Sequence, residues 1–339
     1  MTTLSDIAKR AGVSVATVSR VINEYPDVNE ATRVKVKKVI TELGYGSGAL
    51  GKGRDGVKTM AIGVFYTVGH LTHPFFKDVL EAFWQVIAKR GYDMLLFTLS
   101  SDESEAEDFN SRAVGRNLDG ILLVSVPRVD ARIGNLAIGS IPCMSIDLDL
   151  VGARAGYLCS DNVAGSIQAM DYLISMGHSK IAFIGDQFQT KPGHDRLMGY
   201  RRSLDEHNLP FRPTWVRSGD FSEVGGYEAT KRLLECEERP TAIFCAGDLM
   251  AIGAMKALHE AGLNVPDDIS LVGFDDIDLA SYVSPSLTTI RQRRNEIGER
   301  AAQCLLQMID ESQIIPPIVT VPTELIVRES VKSPTETQG

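Results

Sequence analysis

LSDIAKRAGVSVATVSRVIN, Leu4 to Asn23, reads as two short helices joined by a tight turn at Gly12. Leu4, Ile7, Ala8 and Ala11 recur on one helical face, and Val18, Val21 and Ile22 on another, so the two stripes can bury against each other. Thr3 ahead of Leu4, with Asp6 three residues on, has the spacing of a reciprocal cap, and Ser14 can cap the second helix. Val15, Ala16, Thr17, Ser19, Arg20 and Asn23 then remain exposed on that second helix, small and hydrogen-bonding groups that suit a DNA major groove. The plainer alternative is a helical hairpin without special function.

Working outward, a third helix follows, with Asn29 as its cap and Val34, Val36, Val39, Ile40 and Leu43 as its apolar positions. Lys35, Lys37 and Lys38 stand exposed between them, and Gly44 and Tyr45 end the segment. Residues 1–58 carry ten Lys or Arg against six Asp or Glu, net +4, whereas the whole chain of 339 residues is at -9. A small basic head on an acidic body is the asymmetry of a modular DNA binder, and it argues against a nucleic-acid coat over the whole surface.

Cysteines 143, 159, 236, 245 and 304 are odd in number, lack a C-x-x-C pair and lie mostly in apolar runs, as expected of free thiols in a reducing, cytoplasmic setting. The N-terminus has no apolar signal core, and no uncharged apolar run is long enough to span a membrane.

GSGALGKGRDG, residues 46–56, offers two decoys. Gly46, Gly48 and Gly51 spell G-x-G-x-x-G, and Gly46 to Lys52 spell most of a phosphate loop, with Gly53 where a Mg²⁺-binding hydroxyl belongs. Both motifs need a strand before and a helix after, and here a helix precedes and no helical pattern follows. The segment reads as a linker, and no cofactor is implied.

From Met60 the pattern becomes strand-helix alternation, with strands expected at 60–66, 93–98, 119–126, 142–147, 157–160, 180–185, 214–218, 241–246 and 269–274. Helices are expected at 75–90, 103–115, 162–176, 194–207, 223–236, 248–261 and 292–310. This alternation means doubly wound parallel sheets, and the length suggests two lobes with a cleft. Ligands bind such sheets beyond the carboxyl ends of the strands. The residues there include His73, Phe75, Phe76, Asp147, Asp161, Asp186, Arg196, Phe221, Asp248 and Asp275. Carboxylates, one arginine and aromatic faces suit a polyhydroxylated ligand. Each has a structural alternative: Asp161 and Asp248 as helix caps, the phenylalanines as core, Arg196 as a surface pair with Asp195.

The chain resembles the lactose and galactose repressor family of bacterial transcription regulators from Thr3 to about Ser330. TLSDIAKRAGVSVATVSRVIN, VNEATRVKV and ELGY carry the likeness in the head. HPFF, SIDLD, HSKIAFIGD, DRLMGYRRSL, TAIFCAGDLMAIGAMKAL, VPDDISLVGFDDIDLA and SPSLTTIRQ carry it in the body. The resemblance implies an all-α helix-turn-helix DNA-binding head joined to an α/β, two-lobed, periplasmic-binding-protein-like core of two doubly wound parallel sheets. Its domains are then 1–45 for the head, 46–59 for the hinge, 60–332 for the core and 333–339 for the tail. The lobes are 60–161 with 292–321, and 162–291 with 322–332.

It implies a repressor with a near-palindromic operator, a homodimer with a tetramer left open, and a small-molecule effector, a mono- or oligosaccharide, closing the cleft. Carried over by position, Val15 and Ala16 face bases, Arg20 reads or positions nearby, and Ser14, Thr17, Asn23 and Thr32 hold the backbone. Thr3 and Tyr45 complete the DNA-facing set. The effector positions are Phe75, Asp147, Arg196, Phe221, Asp275 and Gln292, joined by His73 and Asp248 from their places at strand ends.

Two departures from the family pattern stand out. Ser47, Gly48, Gly51 and Arg54 occupy the hinge positions where Pro, Asn, Ala and a wedging Leu are usual, so either DNA bending is small or Leu50 serves from a shifted register. Gly247 stands where Asn usually precedes Asp248, which leaves room for a larger effector. The competing class is a stand-alone solute-binding receptor, disfavoured by the head and by the lack of an export signal. An enzyme lacks a catalytic triad, a metal-spaced His cluster or a complete phosphate loop.

Overall fold

The computed structural model describes residues 4–22, 28–42, 58–66, 73–98, 108–186 and 189–334. Three helices form the head: α1 (Leu4–Ala11), α2 (Val15–Ile22) and α3 (Glu30–Glu42). Ile7, Ala8, Ala11, Val18, Val21, Val36 and Val39 close one small core, with Ile40 packed at its edge. Gly12 makes the turn at φ 64°, Ser14 Oγ accepts the Thr17 amide at 3.0 Å, and Asn29 Oδ1 accepts the Thr32 amide at 3.1 Å. Val34 departs from the expected apolar face and is 58% exposed. It is two residues from Val36, more than half a helical turn away, so the two cannot share a face. Thr3, Asn23, Leu43, Tyr45, Leu50 and nearly all of the 46–59 linker lie outside the described residues.

The body contains two six-stranded sheets. The first uses β1 (Ala61–Tyr66), β2 (Asp93–Thr98), β3 (Gly120–Val124), β4 (Cys143–Ile146), β5 (Ala155–Ser160) and β11 (Ile318–Val321), in the order β11-β5-β4-β3-β1-β2. The second uses β6 (Ile181–Ile184), β7 (Val216–Arg217), β8 (Ala242–Cys245), β9 (Ser270–Asp275), β10 (Thr288–Arg291) and β12 (Glu324–Ile326), in the order β12-β10-β9-β8-β6-β7. All pairings are parallel except β10 with β12. Strands buried on both faces read as continuous apolar runs, which is why MAIGVFY and TAIFC were legible as strands.

Helices α4 (Pro74–Lys89), α5 (Phe109–Gly115), α6 (Gly134–Ala137) and α12 (Arg294–Asp310) cover the first sheet. Helices α7 (Asn162–Ser175), α8 (Lys191–Glu206), α9 (Glu223–Leu234), α10 (Asp248–Glu260) and α11 (Leu279–Tyr282) belong to the second. The helix expected from 103 is described only from Phe109, and that expected from 194 begins at Lys191, where Thr190 Oγ1 caps it by accepting the Gly193 amide at 3.1 Å. Strands β10, β11 and β12 and helices α6 and α11 have no counterpart in the sequence reading; each has six residues or fewer, too few for a clear period.

The backbone passes between the sheets three times, after β5, after β10 and after β11. Two crossings lie side by side, the Asp161 amide donating to the Val321 carbonyl at 2.8 Å. In each sheet the order reverses once, between β1 and β3 and between β6 and β8. Ser125 and Val126 after β3 and Thr190 after β6 border the cleft between the sheets, the expected place for a ligand.

In the second lobe, α9 and α10 approach backbone to backbone. A methyl built on Gly253 would overlap the Glu223 carbonyl, and one on Gly226 would overlap the Met250 carbonyl. Gly253→Ala is therefore expected to push the helices apart and destabilise the fold by about 1–3 kcal/mol or more. A urea midpoint unchanged from wild type would contradict this.

Candidate functional site

In the head, burial of Val18 and Val21 leaves the opposite side of α2 facing outward. Val15 is 46% exposed, Ala16 and Arg20 are exposed, and Thr17 and Ser19 are half-buried. The Ser14 and Thr17 hydroxyls lie 2.8 Å apart at the start of the helix. Thr32 is half-buried in the first turn of α3, with Lys35, Lys37 and Lys38 exposed along the same helix. The outward side is thus small at its N-terminal end and cationic further along, so it can enter a groove closely and then meet phosphates.

In the body, a cavity of about 100 Å³ lies between the lobes, bordered by His73, Phe75, Asp147, Arg196, Phe221, Asp275 and Gln292. Seven of the eight effector candidates therefore meet at one place. His73 caps α4, its Nδ1 accepting the Phe75 amide at 3.3 Å. Phe75 is buried in the first lobe's core and also borders the cavity. Phe76 packs edge-on against it at 5.0 Å.

Arg196 is the structural centre of the second lobe's side. It is 2% exposed. Its Nε donates to Asn162 Oδ1 at 2.8 Å, and its Nη1 donates to the Ala246 carbonyl at 2.6 Å and reaches Asp275 Oδ1 at 3.5 Å. The guanidinium stacks 3.7 Å from the centre of the Phe274 ring and 5.8 Å from that of Phe221. The surface pair with Asp195 does not form; Asp195 instead pairs with Lys191 at 2.8 Å. Burial pulls the Arg196 guanidinium below its ordinary value, opposed chiefly by the charge of Asp275 and then that of Asp147.

Acceptors outnumber donors here. Gln292 Nε2 donates to Asp275 Oδ1 at 2.6 Å, which leaves Gln292 Oε1 and Asp147 Oδ1 buried with no hydrogen-bond partner among the described residues. Burial raises the Asp147 carboxyl to about 7, against the counter-pull of Arg196. Four cavity residues sit in the left-handed region: Ser125 at φ 54°, Asp147 at 61°, Phe221 at 60° and Asp275 at 120°. Such backbone is costly for residues with a Cβ and concentrates at ligand clamps.

Asp248 is the exception. It does not border the cavity and is not a helix cap. Its carboxylate turns into the core, accepting the Thr289 hydroxyl at 2.5 Å and the Ile277 amide at 2.9 Å. Burial and the nearby charge of Asp275 hold it well above the ordinary carboxylate range. Asp161 is a cap, accepting the Ala164 amide at 3.0 Å. Asp186 closes its own loop by accepting the amides of Gln189 and Thr190.

Gly247 does not itself border the cavity, but a Cβ there would stand 3.3 Å from Phe221 and 3.6 Å from Asp275, two residues that do. Ser125, Val126, Thr190, Pro192 and Asp220 also border the cavity, beyond the residues expected from the sequence. Ser125 and Val126 follow β3, so the strand-end rule reaches them; Thr190 and Pro192 carry the signature of a capped, proline-started helix.

Comparison with known proteins agrees with this architecture. Residues 3–47 match the model for bacterial regulatory proteins of the lacI family, and residues 170–331 match a periplasmic binding protein-like domain. The HTH-type transcriptional repressor PurR of Yersinia pestis (strain Pestoides F) is 36% identical over 335 residues, covering 98% of this chain and 97% of its own. PurR of Vibrio vulnificus (strain CMCP6) is 32% identical, covering 98% and 99%. Among solved structures, the complex of the transcriptional regulator CelR with cellobiose has TM-score 0.76 and 32% identity, covering 97% of this chain and 100% of that one. The Lac repressor dimer bound to operator and the anti-inducer ONPF has TM-score 0.72 and 27% identity, covering 98% and 99%. The chain belongs to the lacI family of bacterial regulatory proteins, DNA-binding transcriptional repressors that join a helix-turn-helix head to a two-lobed core.

Proposed function

We propose that this repressor acts in the cytoplasm as a homodimer, reads a near-palindromic operator with α2 of each head, and is controlled by a neutral sugar held between its lobes. It is read as a regulator without catalytic activity, as its relatives are regulators. Among the described residues no helix is long and apolar enough to cross a membrane. Val15 and Ala16 offer contacts for thymine methyl groups, and Arg20 is the donor suited to a guanine edge. Replacement of Arg20 by Ala is expected to weaken binding to a DNA fragment selected by the wild-type protein about 5- to 150-fold, the span of a good base contact. Equal affinity in a gel-shift titration would sink that role. Wild-type binding should also fall steeply with salt.

The observation that carries the effector reading is the surplus of buried acceptors between aromatic faces. Sugar hydroxyls can donate to Asp147 Oδ1 and Gln292 Oε1, while Phe75 and Phe221 cover the ring's C–H faces. The arginine is already committed to protein acceptors, and Asp220 and Asp275 stand beside it on the cavity, so a phosphate would enter against net negative charge. The cavity of about 100 Å³ is smaller than the roughly 150 Å³ that holds a benzene, so a sugar ring enters as the lobes part. Replacement of Arg196 by Ala would strip partners from Asn162, Ala246 and Asp275 and is expected to destabilise the core, so it is a poor probe of binding alone. A screen that scores operator release and thermal shift should find hits among neutral monosaccharides and none among their phosphates at equal concentration. Phosphorylated hits alone would refute the assignment.

Asp147 supplies a pH test. The folded chain keeps its proton up to about 7, whereas an aspartate side chain ordinarily loses it near 3.8. Between those values the folded state binds more protons than the unfolded state, so this group makes stability fall as pH rises, by up to ~1.4 kcal/mol per pH unit. Above that range its contribution is flat. The difference in stability between wild type and Asp147→Asn, followed by urea unfolding from pH 4 to 8, should carry this slope; a difference independent of pH would show that Asp147 ionises normally.

A further inference from the structure

The end of β9 divides two neighbouring carboxylates between two environments. Asp275 and Asp276 both have positive φ, 120° and 55°. Asp275 borders the cavity, while Asp276 borders a separate, open polar groove with Asp78, Asp278 and Arg294. The Asp276 carboxylate accepts from Arg291 Nε at 2.7 Å and from Arg328 Nη2 at 2.6 Å. Its carbonyl accepts from Arg294 Nη2 at 3.0 Å.

Arg294 is where the lobes are tied. It begins α12, a helix of the first lobe, and its Nη1 lies 3.1 Å from Asp78 Oδ2 on α4 of the same lobe. On the other side it holds the Asp276 carbonyl and lies 3.8 Å from Asp278, both in the second lobe. The Arg294 side chain is 14% exposed, so its contacts with Asp78 and the Asp276 carbonyl are partly shielded from water, while Asp278 stands exposed. Helix α12 then runs for 17 residues, about 25 Å at 1.5 Å per residue. Ile297, Ala301, Ala302, Leu305 and Leu306 bury one side of it in the first lobe's core. Its last residue, Asp310, pairs with Lys58 and with Arg90, the latter at 2.7 Å. Lys58 is the first described residue after the segment that leads out of the head, and beside it the Thr59 and Met60 amides donate to the Asp119 carboxylate at 3.1 and 2.8 Å.

We propose that Arg294 is a positioning residue that couples the wall of the cavity to the attachment point of the DNA-binding head, with α12 as the rigid arm between Arg294 and Asp310. This rests on the repressor reading above. A ligand drawn against Asp275 shifts the backbone it shares with Asp276, and with it the carbonyl that Arg294 grips. The lobe angle changes, and the anchored end of the linker moves with the first lobe. Loss of either end of the arm leaves the head attachment less defined.

The test uses the full chain and a DNA fragment selected by the wild-type protein from a random pool. Arg294→Ala is expected to weaken binding to that fragment by about 5-fold or more, the lower end of ordinary coupling between sites. Arg294→Lys, which keeps a charge and donors, should restore most of it. Asp310→Asn should act in the same direction, and the double variant should be no weaker than the weaker-binding single variant. Hydrogen exchange should quicken at 58–60 and 291–294 while the strands stay protected, which separates uncoupling from unfolding. Asp78→Asn removes one end of the contact at a quarter-exposed site and serves if Arg294→Ala does not fold. Binding within about twofold of wild type for the folded variants, or effects of Arg294→Ala and Asp310→Asn that multiply, would overturn the proposal. Failure of the wild-type chain to select any DNA would instead overturn the repressor reading, before any variant is made.

Discussion

The buried guanidinium of Arg196 is the constraint on which the second lobe and the cleft depend. One planar cation joins Asn162 at the first crossing between lobes, the carbonyl of Ala246 beyond β8, and Asp275 at the end of β9, while lying on Phe274. A charge so placed is tolerable only with each donor met and an opposite charge nearby. Asp275 and Asp147 supply that charge, and Arg196 in turn makes it possible to bury two carboxylates beside a small cavity. Without it, the strand ends that form the cleft would lose their common tie.

The same economy explains why the cavity residues carry strained backbone. A strand end must turn sharply to leave the sheet and still aim a side chain at the space beyond it. At Asp147, Phe221 and Asp275 the turn is made in the left-handed region by residues with a Cβ, not by glycine. Glycine there would ease the turn and remove the carboxylate or ring that faces the cavity. The cost is therefore placed where a side chain has a task, and the well-packed sheets behind hold it.

Much of this was legible in the sequence because burial on both faces writes strands as apolar runs and because strand ends in such sheets face the ligand. The rule brought His73, Phe75, Asp147, Arg196, Phe221 and Asp275 to attention without showing which way each turns, and Gln292 came only from the family resemblance. Asp248 shows the limit: a carboxylate three residues beyond the end of β8 can turn into the core when an amide and a hydroxyl wait there, and Ile277 and Thr289 are supplied by distant segments. Val34 was misplaced for a simpler reason, since counting apolar residues in a helix without their angles overfills a face. Strands of three or four residues, such as ELI and IVTV, owe their form to the sheet edge they join, and nothing local marks them.

The charge distribution bears on how a repressor of this form must work. Residues 59–339 carry 25 Lys or Arg against 38 Asp or Glu, so the body is at -13 and adds no general attraction to DNA. At physiological salt, screening acts over about 8 Å, and an acidic body close to phosphates would be repelled. Affinity must then come from the heads, each small and at most modestly cationic. On the dimeric reading, two weak heads become a tight binder only when the second finds its half-site as an intramolecular step, and that gain disappears if their spacing does not match the DNA. Whatever sets the spacing sets the affinity. A body that contributes little attraction of its own can therefore exert strong control by changing the angle between its lobes, and no contact with DNA need be made or broken by the body itself.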